Sequence, residues 1–166
     1  MKVIWIVLGF AIVAVLAGWF YKSAPSPVRQ PLPFNHKKHM ETSKCSDCHR
    51  FYETQAFAGI PTNEDCLGCH EDPMSKSPEE ERQRKEYWEA GREIPWVRVN
   101  RLPEHTFYSH VAHVRFAKID CAECHGNMKE QTEPVTTPQI GHLTMSKCMA
   151  CHRERGVNND CYRCHK

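Results

Sequence analysis

All ten cysteines of the 166-residue chain fall in five C-x-x-C-H units. They are Cys45-Ser46-Asp47-Cys48-His49, Cys66-Leu67-Gly68-Cys69-His70, Cys121-Ala122-Glu123-Cys124-His125, Cys148-Met149-Ala150-Cys151-His152 and Cys161-Tyr162-Arg163-Cys164-His165. This spacing is the attachment signature of c-type haem. Two thiols add to the two porphyrin vinyl groups, and the following His turns its imidazole onto the iron. Competing chemistries fit less well. Zinc ribbons pair such units two by two, and five cannot pair evenly. A disulfide framework suits an exported chain but does not fix His at one offset five times. A thioredoxin-like redox centre needs one unit, not five.

Five haems change what the interior must be. Hydrophobic residues are 40% of the chain, but many sit in the first 21 positions. The remainder is polar and too short of aliphatic surface to build a large core by itself. The 144 residues from Ser23 to Lys166 leave about 29 for each haem. Macrocycles therefore take the place of aliphatic side chains. The expected fold is mostly irregular, with short α-helices at the CxxCH units. A net charge of +2 gives no support to nucleic-acid binding.

Val3 to Tyr21 is a 19-residue uncharged run bounded by Lys2 and Lys22. At 1.5 Å per residue it spans about 30 Å, the hydrocarbon thickness of a bilayer. Trp5 lies near one end, and Trp19 and Tyr21 near the other, where aromatic rings favour the interface. A cleaved signal peptide is the competing reading. The run is longer than a usual signal core, Ala24 has Lys22 at the −3 position, and Pro25 follows. An uncleaved N-terminal transmembrane anchor over 1–22 is expected. Haem attachment occurs after export, which puts the rest on the periplasmic side of a bacterial cytoplasmic membrane.

Each haem iron takes two axial ligands. His49, His70, His125, His152 and His165 supply one each, and His36, His39, His105, His110, His113 and His142 remain. Five of these six complete five bis-histidine sites. Two stretches repeat one pattern, an aromatic followed by H-x-x-H and then a CxxCH unit: Phe34-Asn35-His36-Lys37-Lys38-His39, and Phe107 to His113. Histidines three apart share a helical face but diverge in direction, so they suit two adjacent haems. Met40 and Met145 are alternative ligands that would raise a haem potential, although packing at porphyrin edges is the plainer role. No CxxCK unit occurs and the histidines suffice to close every iron, which argues against a catalytic nitrite-type reductase.

The organisation expected is an anchor (1–22), a two-haem module (23–76), a linker (77–104) and a three-haem module (105–166). In the linker, Ser77 is placed to N-cap a helix with Pro78 at N1, Glu80 at N3 and acids in the first turn, ending near Gly91. A charged, solvated spacer over 78–90 is expected. Arg98 and Arg101 are candidates to meet haem propionates.

The H-x-x-H and CxxCH arrangement resembles the small multihaem cytochromes of the c3/c7 group. That resemblance implies specific iron pairs: His36 with His49, His39 with His70, His110 with His125, His113 with His152, and His142 with His165. His105 is left over. The chain from 34 to 166 also resembles the membrane-anchored multihaem subunit of alternative complex III and the related menaquinone reductase (Qrc) family. That likeness rests on Pro95-Trp96-Val97-Arg98-Val99, Leu102-Pro103, Phe107 to Val114, and Leu143-Thr144-Met145 leading into Cys148. It implies five c-type haems in an electron-transfer subunit of a quinone-linked membrane complex. The implied partners are a molybdopterin-like or iron–sulfur periplasmic subunit, a polytopic quinol-binding subunit, membrane lipid and a periplasmic cytochrome. A stand-alone membrane quinol dehydrogenase of the NapC/NrfH kind is the alternative.

Overall fold

The computed structural model describes residues 2–23 and 26–165, with side chains for 5–18 and 26–165. Eight α-helices lie among the described residues: α1 (Lys2–Ser23), α2 (His36–His39), α3 (Cys45–Cys48), α4 (Asn63–His70), α5 (Pro78–Gln83), α6 (Ala122–His125), α7 (Met145–Glu154) and α8 (Cys161–Cys164). Two π-helical turns, Arg84–Trp88 and Val111–Phe116, and one 3-10 turn, Met128–Glu130, complete the regular structure. No strand forms among these residues; Thr106 and His165 make one isolated antiparallel bridge.

Every CxxCH unit sits on or at the end of a helix. The reason is local: one helical turn puts cysteines three apart on the same face. Short polar caps start these turns. The Asp47 carboxylate accepts from the Lys44 N–H at 2.8 Å before α3. Asp65 accepts from Thr62 in the same way before α4, also at 2.8 Å. Thr144 Oγ1 accepts from the Lys147 N–H at 3.4 Å at the start of α7.

Little aliphatic surface is buried. Among the described residues, Leu32 (8% exposed), Tyr87 (8%) and Ile94 (7%) are the only buried apolar side chains, and Cys66, Trp88 and Trp96 pack against them. This small cluster changes the reading of the linker. The Ser77 hydroxyl accepts from the Glu80 N–H at 3.1 Å, so the N-cap forms. The helix is not a free spacer, however. It widens into a π turn at Arg84, and Tyr87 in that turn packs inward against Leu32 and Ile94. Arg84 donates to the carbonyls of His70 (2.9 Å) and Glu71 (3.1 Å), tying the turn to the second CxxCH unit. Helical structure ends at Trp88, and Gly91 follows with φ +62°, the left-handed conformation that glycine adopts most readily.

The N-terminal segment forms a 22-residue helix. Trp5, Ile6, Phe10, Ile12, Val13 and Leu16 are all exposed. Among the described residues, no helix is long and apolar enough to cross a membrane. Side chains of the expected span are described for 5–18, so those of Trp19 and Tyr21 lie outside the described residues, as do Ala24 and Pro25.

Candidate haem sites

The two aromatic-x-H-x-x-H stretches take up the same geometry. Phe34 lies edge-on to His36 (4.8 Å, 80°) and flat against His39 (4.4 Å, 19°). Tyr108 lies edge-on to His110 (4.9 Å, 87°) and flat against His113 (4.6 Å, 25°). The aromatic two positions before the first His thus fixes both rings, so Tyr108 rather than Phe107 is the counterpart of Phe34. The second stretch enters the π turn Val111–Phe116, a widening common at functional positions.

Three of the four fixed rings face a CxxCH histidine. His39 lies 6.1 Å from His70, His110 lies 6.3 Å from His125, and His113 lies 6.1 Å from His152. Two metal–imidazole bonds of about 2.0–2.1 Å, with roughly 1.1 Å more to each ring centre, separate axial rings by about 6.3 Å. These pairs are therefore spaced to hold one iron between them. His36 and His49 line one cavity, and burial, then the proximity of His49 and His39, holds His36 below its ordinary pKa.

The fifth pair differs from the one the resemblance implies. His105, not His142, lies beside His165, at 5.4 Å and 24° between planes. The bridge from Thr106 to His165 and the bond from the Phe107 N–H to the Cys164 carbonyl (2.8 Å) bring it there. His142 is exposed on the turn before α7. Met40 lines the cavity of the first unit, and Met145 is exposed.

Hydrogen bonds select the ring nitrogen left to the metal. Nδ1–H donates to a backbone carbonyl in His39 (Asn35, 2.8 Å), His49 (Gly59, 2.8 Å), His110 (Ala56, 3.1 Å) and His113 (Ser109, 2.8 Å). The Nε2 lone pair is then free, and a carbonyl behind the ring raises its basicity as a ligand. The Asn100 amide meets Nδ1 of His125 at 3.1 Å; turned with its oxygen inward, it does the same. Gly59 carries its carbonyl to His49 at φ +87°, and a Cβ there would lie 2.8 Å from the Phe51 ring.

Burial disfavours the thiolate at several of the motif cysteines. All ten cysteines are free. Burial, then the neighbouring Cys48, pushes Cys66 up to about 11, and burial likewise raises Cys48, Cys121, Cys124 and Cys148. Among the described residues, no three His, Cys, Asp or Glu side chains converge as a zinc site requires.

The five units are not arranged in sequence order. His36 and His39, on one short helix, link the first unit to the second, and Cys66 lies near Cys48. The first and third units line a common cavity of about 450 Å³. His110 and His113 link the third to the fourth. The fifth follows the fourth, where the Asn159 side chain donates to the Met149 carbonyl at 3.1 Å. The spatial order is second, first, third, fourth, fifth.

Three imidazole pairs at iron spacing, five helical CxxCH turns and an interior nearly empty of aliphatic side chains define a multihaem c-type cytochrome. The family described as cytochrome c7 and related cytochrome c matches residues 106–166. The menaquinone reductase multihaem cytochrome c subunit of Nitratidesulfovibrio vulgaris Hildenborough is 31% identical over 181 aligned residues, which cover 93% of this chain and 86% of that protein. The chain belongs to the family of that multihaem cytochrome c subunit.

Proposed function

We propose that this chain carries five c-type haems as the electron-transfer subunit of a quinone-linked respiratory complex in the cytoplasmic membrane. The observation that carries the reading is the set of three ring pairs at iron spacing, His39/His70, His110/His125 and His113/His152; His36 with His49 in one cavity and the closer His105/His165 pair complete the proposed five. Each bound haem supplies a one-electron carrier. The chain's own residues do the rest. The cysteines at 45, 48, 66, 69, 121, 124, 148, 151, 161 and 164 fix each carrier in place. Phe34 and Tyr108 lock the rings of the H-x-x-H histidines, and carbonyls behind His39, His49, His110 and His113 hold their tautomer. The sequence of neighbours makes the second and fifth units the two ends of the electron path.

The relative is a menaquinone reductase subunit, and its likeness to this chain supports menaquinone-linked chemistry here. The proposed partners are a polytopic quinone-binding subunit, a large periplasmic molybdopterin-like or iron–sulfur subunit, and a periplasmic cytochrome. The uncharged run Val3–Tyr21, with exposed apolar side chains around the helix it forms, supports a single-pass anchor with residues 23–166 in the periplasm. Residues 23–76 and 105–166 are the proposed two- and three-haem modules, joined by 77–104.

Purification in mild detergent with a pyridine haemochrome assay tests the reading. Five haems per chain and co-purifying membrane and periplasmic subunits are expected. A lone chain that oxidises menaquinol unaided overturns the subunit assignment in favour of a stand-alone quinol dehydrogenase. A count well under five overturns the haem assignment.

A further inference from the structure

Trp96 carries a buried indole N–H with no partner in the protein. Indole nitrogen only donates, so a buried one needs an acceptor. Trp96 lines the cavity shared by the first and third CxxCH units. It is firmly seated there. Its own backbone N–H donates to the Ile94 carbonyl at 2.8 Å, and its ring packs on the Leu32, Tyr87 and Ile94 cluster. It also meets Phe34 edge-on at 5.9 Å, the ring that backs His36 and His39. This contact puts the indole on the first unit's side of the cavity.

The next residue is pinned. The Gln30 amide accepts from the Val97 N–H (3.1 Å) and donates to the Val97 carbonyl (2.9 Å) and the Val135 carbonyl (2.9 Å). Trp96 and Arg98 flank this fixed point, and both line the cavity. The lining is basic, with Lys44, Arg98 and Lys129 against Asp120 alone. Cations and an unsatisfied donor on one wall call for an anionic oxygen ligand. A porphyrin attached in this cavity brings two carboxylates and no other strong acceptor.

We propose that the Trp96 indole N–H and the Arg98 guanidinium together hold a propionate of the haem attached at Cys45 and Cys48. The inference rests on the five-haem reading. Gln30 is the positioning residue that keeps the two donors in register. A donor and a cation beside a propionate screen its negative charge, which otherwise favours ferric iron.

The test uses the full-length holoprotein. Trp96→Phe keeps the aromatic packing and removes the N–H. The expected result is an unchanged haemochrome count, a shifted propionate-bending band in resonance Raman, and a downward shift in one of the five midpoint potentials. Arg98→Gln is expected to move the same band and the same midpoint in the same direction. Should Trp96→Phe fail to load haem, Arg98→Gln decides the matter on its own. Five haems with the band and every midpoint at their native values in the loaded variants overturn the inference. A native protein lacking five haems overturns instead the reading beneath it.

Discussion

The rings of His110 and His125 lie 6.3 Å apart with only 5° between their planes, the most nearly parallel of the histidine pairs. Parallel axial imidazoles split the iron d orbitals unequally and give a rhombic low-spin signal. In electron paramagnetic resonance of the oxidised protein, one rhombic low-spin component is therefore assigned to the third unit. His110→Ala is expected to remove it and add one high-spin haem. Persistence of the rhombic component in that variant contradicts the pairing.

His105 and His142 compete for one role, and substitution separates them. His105→Ala is expected to convert one haem of five to high spin, because its ring sits 5.4 Å from His165. His142→Ala is expected to leave every haem low-spin. The opposite outcome restores the pairing implied by the c3/c7 resemblance.

Gly59 joins two constraints at one backbone position. Its φ of +87° disfavours any side chain, and a Cβ would press on Phe51 at 2.8 Å. Gly59→Ala is expected to cost about 1–3 kcal/mol, read as a lower midpoint in thermal or denaturant unfolding. The His49 hydrogen bond should weaken with it, moving the midpoint potential of the first haem. A stability within error of the parent protein would show that the loop relaxes freely.

Hydrogen bonds from Arg82 and then Gln83 hold the Glu79 carboxyl down to about 2, against an ordinary value of 4.5. The folded value lies below the unfolded one. The contribution to helix α5 is therefore complete above about pH 4.5 and is lost as pH falls toward 2. Carboxyl-carbon NMR of the protein should show Glu79 titrating at about 2, and Arg82→Ala should bring it back toward 4.5. A native Glu79 that already titrates near 4.5 contradicts the assignment.

Local patterns were readable before any coordinates. A CxxCH unit closes within one helical turn, and Phe34 with His36 and His39 closes within six residues, so spacing alone carries their geometry. The nearness of His105 to His165 is not legible in the sequence, because the two lie 60 positions apart and meet through the pairing of Thr106 and Phe107 with the C-terminal unit. The c3/c7 resemblance implies His142 in that place. In the linker the cap and charged first turn are legible, and the inward π turn is not. Its charge run suggested a solvated helix, while the adjacent aromatics Tyr87 and Trp88 were the signal of an inward face. Trp96 and Gln30 were obscured for a different reason, since an unsatisfied donor and a pinned segment exist only once the chain is folded.

Because the row begins with the second unit and turns back to the first, its spatial order is not the order of the chain. The first unit precedes both of its spatial neighbours in sequence. Its cavity stays open on one side until residues 121–125 arrive, some seventy positions later in synthesis. The joint between the modules is thus closed by two segments far apart in sequence, and a chain cut before Cys121 would lack one wall of that cavity.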